Sequence, residues 1–169
     1  MREVTNVDRA GYGRETLEHY EQGRAALGRE PDEREEARLV MAACAYGGSL
    51  DRWDPVKAMD LQEDTEWALE VIGDLVCDLF HTADGTVTPQ LLLDAVPAPG
   101  CVGETALVES RKRLGERGVR FADFLAAVRR ALVTVHDLDA DELFERAKGN
   151  FEEEVEEERY NAAAARHIA

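Results

Sequence analysis

An all-α fold, a compact bundle of about six or seven helices, is predicted by three features of the sequence. Apolar residues recur at three-and-four spacing in segment after segment, Gly and Pro punctuate the intervals, and alternating β-branched runs are nearly missing. A chain of 169 residues with 44% hydrophobic and 33% charged residues has the length and balance of one domain, so residues 1–169 are expected to form a single helical unit.

The first helix is expected over about 14–27, where Leu17, Tyr20, Arg24 and Leu27 share a face and Gly28 supplies a C-terminal stop. The second starts at Pro31, a favoured first helical position, with Asp32, Glu33, Glu35 and Glu36 near the positive end of its dipole. Its continuation "ARLVMAACAYGG" is apolar nearly all round, which predicts a buried helix ended by Gly47 and Gly48. Asp54 and Pro55 signal a turn of helix before a long segment from about 62 to 82. Thr88 and Pro89 repeat that signal for a short helix through about Val96, and the loop at 97–103, within "VPAPGCVG", is a candidate hinge. Helices near 104–117 and 120–135 follow, separated by Gly118. A last helix is expected from Asp139, with Glu142 completing a capping box, to about Ala165. The segments "TVTPQLLLDAV" and "DLDADELFERA" share a capped start ahead of adjacent apolar residues, a helix-loop-helix habit more than a repeat.

The net charge of −16 is unevenly spread. Between Lys57 and Arg111 there is no Lys or Arg, against Asp60, Glu63, Asp64, Glu66, Glu70, Asp74, Asp78, Asp84, Asp94, Glu104 and Glu109. Such a surface repels phosphates and has no counterions of the right sign to release, so direct nucleic-acid binding is not expected. Residues 137–158 are also acidic, relieved by Arg146 and Lys148, whereas 111–130 is basic. That basic segment is expected to complement the acidic ones within the fold or across a homodimer interface.

No segment reaches the roughly 18 to 20 apolar residues of a membrane helix, and "MREVTNVDRAGYG" lacks the apolar core of a signal peptide. Cys44, Cys77 and Cys101 are far apart, odd in number and form no CxxC pair, so reduced thiols in a cytoplasm are expected. Seventeen Arg against 3 Lys, with two Ile, resemble the residue usage of high-GC bacteria or of their phages and plasmids.

Within "QEDTEWALEVIGDLVCDLFHTADG", Glu63, Glu66, Glu70, Asp74, Asp78 and His81 occupy a helical sector roughly 120° wide. Leu61, Ala68, Val71, Ile72, Leu75, Val76, Leu79 and Phe80 fill the other side, and a solvated amphipathic face accounts for that pattern by itself. Trp67 and Cys77 disturb it, because both project within or beside the acidic sector. A Trp among carboxylates points to contact with a partner. The expectation is an acidic interaction protein, an inhibitor or adaptor of phage or mobile-element type, that meets a basic protein surface through Glu63, Glu66, Trp67, Glu70, Asp74 and Asp78. No catalytic residue and no cofactor are expected on this reading. Carboxylates beside Cys77 raise its thiol pKa, which argues against a nucleophile. His19, His81, His136 and His167 form no HExxH pair, and the loop around Asp84 and Gly85 lacks the carboxylates of a calcium-binding loop.

Carboxylates repeated every three or four residues can instead hold Mg²⁺ when a second acidic helix faces the first. "EREE" at 33–36 and "EVIGDLVCDLFHTADG" from Glu70 resemble the ExxE and ExxD pairs of the all-α nucleoside triphosphate pyrophosphohydrolases, of the MazG and dimeric dUTPase kind, over about 50 residues. Glu70 and Asp74 are four apart where that family has three. The resemblance implies Mg²⁺ held by Glu33, Glu36, Glu70 and Asp74, hydrolysis of an NTP to NMP and pyrophosphate, and phosphate contacts from Lys148 and Asn150.

Overall fold

The computed structural model describes residues 4–47, 61–83, 87–97 and 104–168. These hold the helices α1 (Asn6–Leu27), α2 (Glu33–Gly47), α3 (Thr65–Thr82), α4 (Pro89–Asp94), α5 (Glu104–His136) and α6 (Asp141–Ile168), with no strand among the described residues. The expected all-α bundle is present. Among the described residues, no helix is long and apolar enough to cross a membrane.

Helix α1 starts well before the expected position because Thr5 and Asp8 form a reciprocal cap. The Asp8 amide donates to Thr5 Oγ1 at 3.2 Å and the Thr5 amide donates to Asp8 Oδ2 at 2.9 Å. The added turns run through Gly11 and Gly13, which the sequence reading left outside the helix. Gly13 is buried against α3, where a Cβ would stand 2.6 Å from the Asp78 carbonyl oxygen and would also strike the Thr82 hydroxyl. That close approach lets Thr82 Oγ1 donate to the Ala10 carbonyl at 2.7 Å, tying the two helices together.

A second reciprocal cap moves the start of α2 past Pro31. The Glu35 amide donates to Asp32 Oδ1 at 2.8 Å, and the Asp32 amide donates to Glu35 Oε1 at 3.2 Å. Val40, Met41, Ala43 and Cys44 are buried, as the all-round apolar pattern predicts. Asp64 caps α3 through the Trp67 amide at 3.1 Å, and Thr88 caps α4 with Pro89 as its first residue. The expected start at Asp54 and Pro55, Gly48, and loop residues 98–103 lie outside the described residues.

The two helices expected at 104–117 and 120–135 are both present within α5 and meet at a kink at Gly115, whose φ of 70° and ψ of 177° are non-helical. Gly118 stays helical, so the break sits three residues ahead of its expected position. Helix α6 begins at Asp141, two residues later than expected, because Asp139 acts from outside the helix by accepting from the Asp141 amide at 2.8 Å.

The core draws Tyr20 from α1, Met41 from α2, Ile72, Leu75 and Phe80 from α3, Leu92 from α4, Phe124, Leu125 and Leu132 from α5, and Phe144 from α6. Each large apolar side chain of this set contributes roughly 1.5–3 kcal/mol on burial. Tyr20 meets Phe124 edge-on at 5.0 Å between centroids. His136 clamps the approach to α3: its Nε2 donates to the Leu61 carbonyl at 2.7 Å, and the Thr65 hydroxyl donates to its Nδ1 at 3.0 Å.

Helices α3 and α6 run parallel. Gly73 lies beside Leu143, and farther along both helices Phe80 meets Phe151 and His81 meets Glu154. The crossover through α4 and α5 thus lays the two most acidic segments of the chain side by side.

Candidate functional site

The acidic sector of α3 is divided by this arrangement. Glu63, Glu66 and Glu70 are exposed, and Trp67 is half-buried against the core. Trp67, expected as an aromatic anchor, is packed in part against the core and also lines an open concavity with Glu63, Asp64, Thr65 and Glu66.

Farther along, α6 covers the sector. Asp74 is exposed, yet partial desolvation, then Glu70 and Glu154, raise its pKa. Asp78 is half-buried; desolvation, then the charges of Glu154 and Asp74, push its pKa up to about 8 against the opposing pull of Arg9. Cys77 is buried, and burial followed by Glu154 and Asp78 holds its thiol far above the usual range. Burial lowers the pKa of His81, and its bond to Glu154 works the other way.

Glu154 joins these groups. Its Oε2 lies 2.7 Å from His81 Nε2, accepts from Cys77 Sγ at 3.6 Å, and stands 3.2 Å from Arg9 Nε. Asn6 Nδ2 donates to the Glu154 carbonyl at 3.3 Å and to the Glu158 carboxylate. The sequence reading missed this residue because "EEEVEEE" looks like a solvated helix face. A signal was present: Phe144, Ala147 and Phe151 recur at three-and-four spacing, and the next place in that core-facing series is 154. Among the described residues, the His, Cys and carboxylate ligand atoms that converge in a group, all within 4.8 Å of one another, are those of Cys77, His81 and Glu154.

Toward the start of the two helices the seam opens into a groove of about 500 Å³. Leu69, Gly73, Leu138, Leu143 and Ala147 contribute its apolar lining. Carboxylates of Glu66, Glu70 and Asp74 stand on one wall and those of Asp139 and Glu142 on the other, with Arg146 and Asn150. Arg146 Nη2 is 3.7 Å from Glu142 Oε1.

Glu33 and Glu36 belong to another side of the bundle. Glu36 accepts from Arg130 Nε at 2.6 Å and from Arg130 Nη2 at 3.1 Å. Glu33 lines a separate cleft with Pro97, Ala126, Arg130 and Val133. Glu70 and Asp74 face α6 instead, so the four carboxylates of the Mg²⁺ expectation are not gathered in one cluster. Lys148 Nζ donates to Gln90 Oε1 of α4 at 2.9 Å, while Asn150 reaches the groove.

The basic segment 111–130 finds partners away from the α3 sector. Arg111 pairs with Asp123 at 2.8 Å, Arg120 with Glu21 of α1, Arg129 with Asp141 at 2.7 Å and Arg130 with Glu36 at 2.6 Å. The acids it complements belong to α1, α2, α5 itself and the start of α6.

No family model matches this chain, and neither a curated protein nor a solved structure matches it.

Proposed function

We propose that this protein is an acidic helical adaptor or inhibitor that holds a basic segment of a partner protein in the groove between α3 and α6. One observation carries the reading: an apolar floor flanked by five carboxylates, Glu66, Glu70, Asp74, Asp139 and Glu142, against the single guanidinium of Arg146. Leu69, Leu143 and Ala147 can receive apolar side chains of the incoming segment, while the walls steer and orient its Lys and Arg side chains. Trp67 is half-buried against the core, so the groove floor carries the main anchoring role in this reading. The free thiols of Cys44 and Cys77 fit a reducing compartment such as the cytoplasm.

The test is binding of a synthetic amphipathic helix with lysines on one face and leucines on the other, followed by fluorescence anisotropy over a salt series. Affinity should fall with salt, and Glu66→Lys combined with Glu70→Lys should weaken binding by about tenfold, equivalent to ~1.4 kcal/mol over two rim charges. Equal affinity of the wild type and the double variant would overturn the proposal. A second copy of the chain offering residues 111–130 is the competing occupant, and sedimentation of the free protein distinguishes it.

The resemblance to Mg²⁺-dependent nucleoside triphosphate pyrophosphohydrolases supports a second reading on the same seam. Its favouring observation is the crowding of Asp74 and Asp78 around Glu154, since a divalent cation relieves mutual repulsion of this kind. Glu70 and Asp74 would then supply ligands without Glu33 and Glu36. Mg²⁺ titration against thermal unfolding, with a pyrophosphate assay over a panel of NTPs, tests it. Asp74→Asn should abolish both signals if the enzyme reading holds.

A further inference from the structure

We propose that Cys77, His81 and Glu154 form a binding site for a borderline transition-metal ion of the Zn²⁺ class, beside the groove and independent of what the groove holds. Cys77 and His81 lie one turn apart on α3, so their Sγ and Nε2 point the same way, and Glu154 reaches them from α6. The three donor atoms already lie within 4.8 Å of one another.

The distances suit the ion. With Zn–S near ~2.3 Å and Zn–O near ~2.1 Å at a tetrahedral angle, sulfur and oxygen ligands stand roughly 3.6 Å apart. The observed Cys77 Sγ to Glu154 Oε2 separation is 3.6 Å. The same geometry asks for roughly 3.4 Å between a nitrogen and an oxygen ligand. His81 Nε2 and Glu154 Oε2 are 2.7 Å apart in the hydrogen-bonded state, so Glu154 has only to draw back by about 0.7 Å. Glu154 is the most exposed of the three, with a quarter of its side-chain surface open to solvent, and its movement has to lengthen the 3.2 Å contact of Oε2 with Arg9 Nε. The Phe151 ring, tilted at 58° with its centroid 4.7 Å from that of His81, fixes the plane of the imidazole.

Donor chemistry selects the class. A thiolate, an imidazole and one carboxylate suit Zn²⁺ and Co²⁺, whereas Mg²⁺ and Ca²⁺ require oxygen ligands throughout. On binding, Cys77 releases its thiol proton to solvent, the proton shared by His81 Nε2 and Glu154 leaves Nε2 so that the ring keeps only an Nδ1 proton, and the His81–Glu154 hydrogen bond gives way to two metal–ligand bonds. The ion also offsets the negative charge that Asp78 and Glu154 place on the seam. Three protein ligands leave a fourth position for water.

Cobalt(II) added to the full-length, chelator-stripped protein is the probe, read by absorption. One equivalent should produce thiolate-to-cobalt charge transfer in the near ultraviolet together with the intense visible bands of a four-coordinate ion. Cys101→Ser should keep the charge-transfer band, Cys77→Ser should lose it, and Glu154→Gln should shift the visible bands and weaken binding by at least about tenfold. A wild-type protein without the charge-transfer band, or one whose band survives Cys77→Ser, overturns the proposal. Where Cys77→Ser does not fold, Glu154→Gln decides: an altered spectrum supports the site and an unchanged spectrum removes it.

Discussion

Two glycines in the first half of α1 are expected to respond to alanine with opposite signs. Inside a helix, Gly→Ala gains about 0.5–1 kcal/mol by reducing the entropy of the unfolded chain. At Gly11 a new Cβ would find only Arg14 Nη2, at 3.8 Å, an ordinary contact that leaves the gain intact. At Gly13 it would stand 2.6 Å from the Asp78 carbonyl oxygen, where ordinary contact begins at 3.4 Å. Helices α1 and α3 would have to separate by roughly 0.8 Å over a seam that carries the Thr82 to Ala10 hydrogen bond, and overpacking of this kind costs about 1–3 kcal/mol. After subtraction of the helix-propensity gain, Gly13→Ala should lose up to about 2.5 kcal/mol, a fall of up to roughly 5–10 °C in Tm for a chain of this size. Gly11→Ala should raise Tm by roughly 1–3 °C. Urea and thermal unfolding of both variants check the pair. Shifts of the same sign would refute the idea that α1 and α3 meet backbone to backbone at Gly13.

Ionised Asp78 destabilises the fold, because its native pKa of about 8 lies above the ordinary value of 3.8. Its contribution is most favourable below the unfolded value and is lost as pH rises through about 8. Metal-free protein should therefore weaken between about pH 5 and pH 8 in urea titrations, and Asp78→Asn should flatten that slope and add ~2 kcal/mol at the alkaline end. A variant with the wild-type slope would show that the charge does not act there. Arg129 is buried with its guanidinium 5.2 Å from the Phe144 ring centroid, whereas its partners Asp139 and Asp141 are exposed. Arg129→Met should change stability by less than ~1 kcal/mol and Arg129→Ala should cost ~2–3 kcal/mol, since the stem rather than the charge fills the space. Equal losses in calorimetry would contradict this. Cys44 is fully buried with its thiol pushed up to about 12, so thiol reagents at near-neutral pH should label it only after unfolding. Rapid labelling of Cys44 in the native protein, located by peptide mapping, would count against the position of α2.

The elements most legible in the sequence were those with local causes. The apolar girdle of α2 announced its burial, and Thr88 followed by Pro89 announced the start of α4, because the chemistry of a cap lies within a few residues. Gly13 read as a break for the opposite reason: what makes glycine necessary there is the Asp78 backbone, which only the fold brings near. Trp67 read as exposed because its neighbours in sequence are acids, although its ring meets the core. The candidate site was half legible. Asp74, Asp78 and His81 were grouped by helical spacing, while Glu154, 77 positions beyond Cys77, was hidden in an acidic run whose burial depends on the direction of α6.

The parallel course of α3 and α6 also bears on how the molecule folds. Parallel neighbours cannot be joined by a tight turn, so every contact across this seam waits for closure of a long segment, and such contacts form late. Interactions absent from the folding transition state act almost entirely on the unfolding rate. A peptide in the groove or an ion beside it would thus leave the speed of folding unchanged and lengthen the life of the folded molecule, so that occupancy of the seam becomes a clock on how long the protein persists.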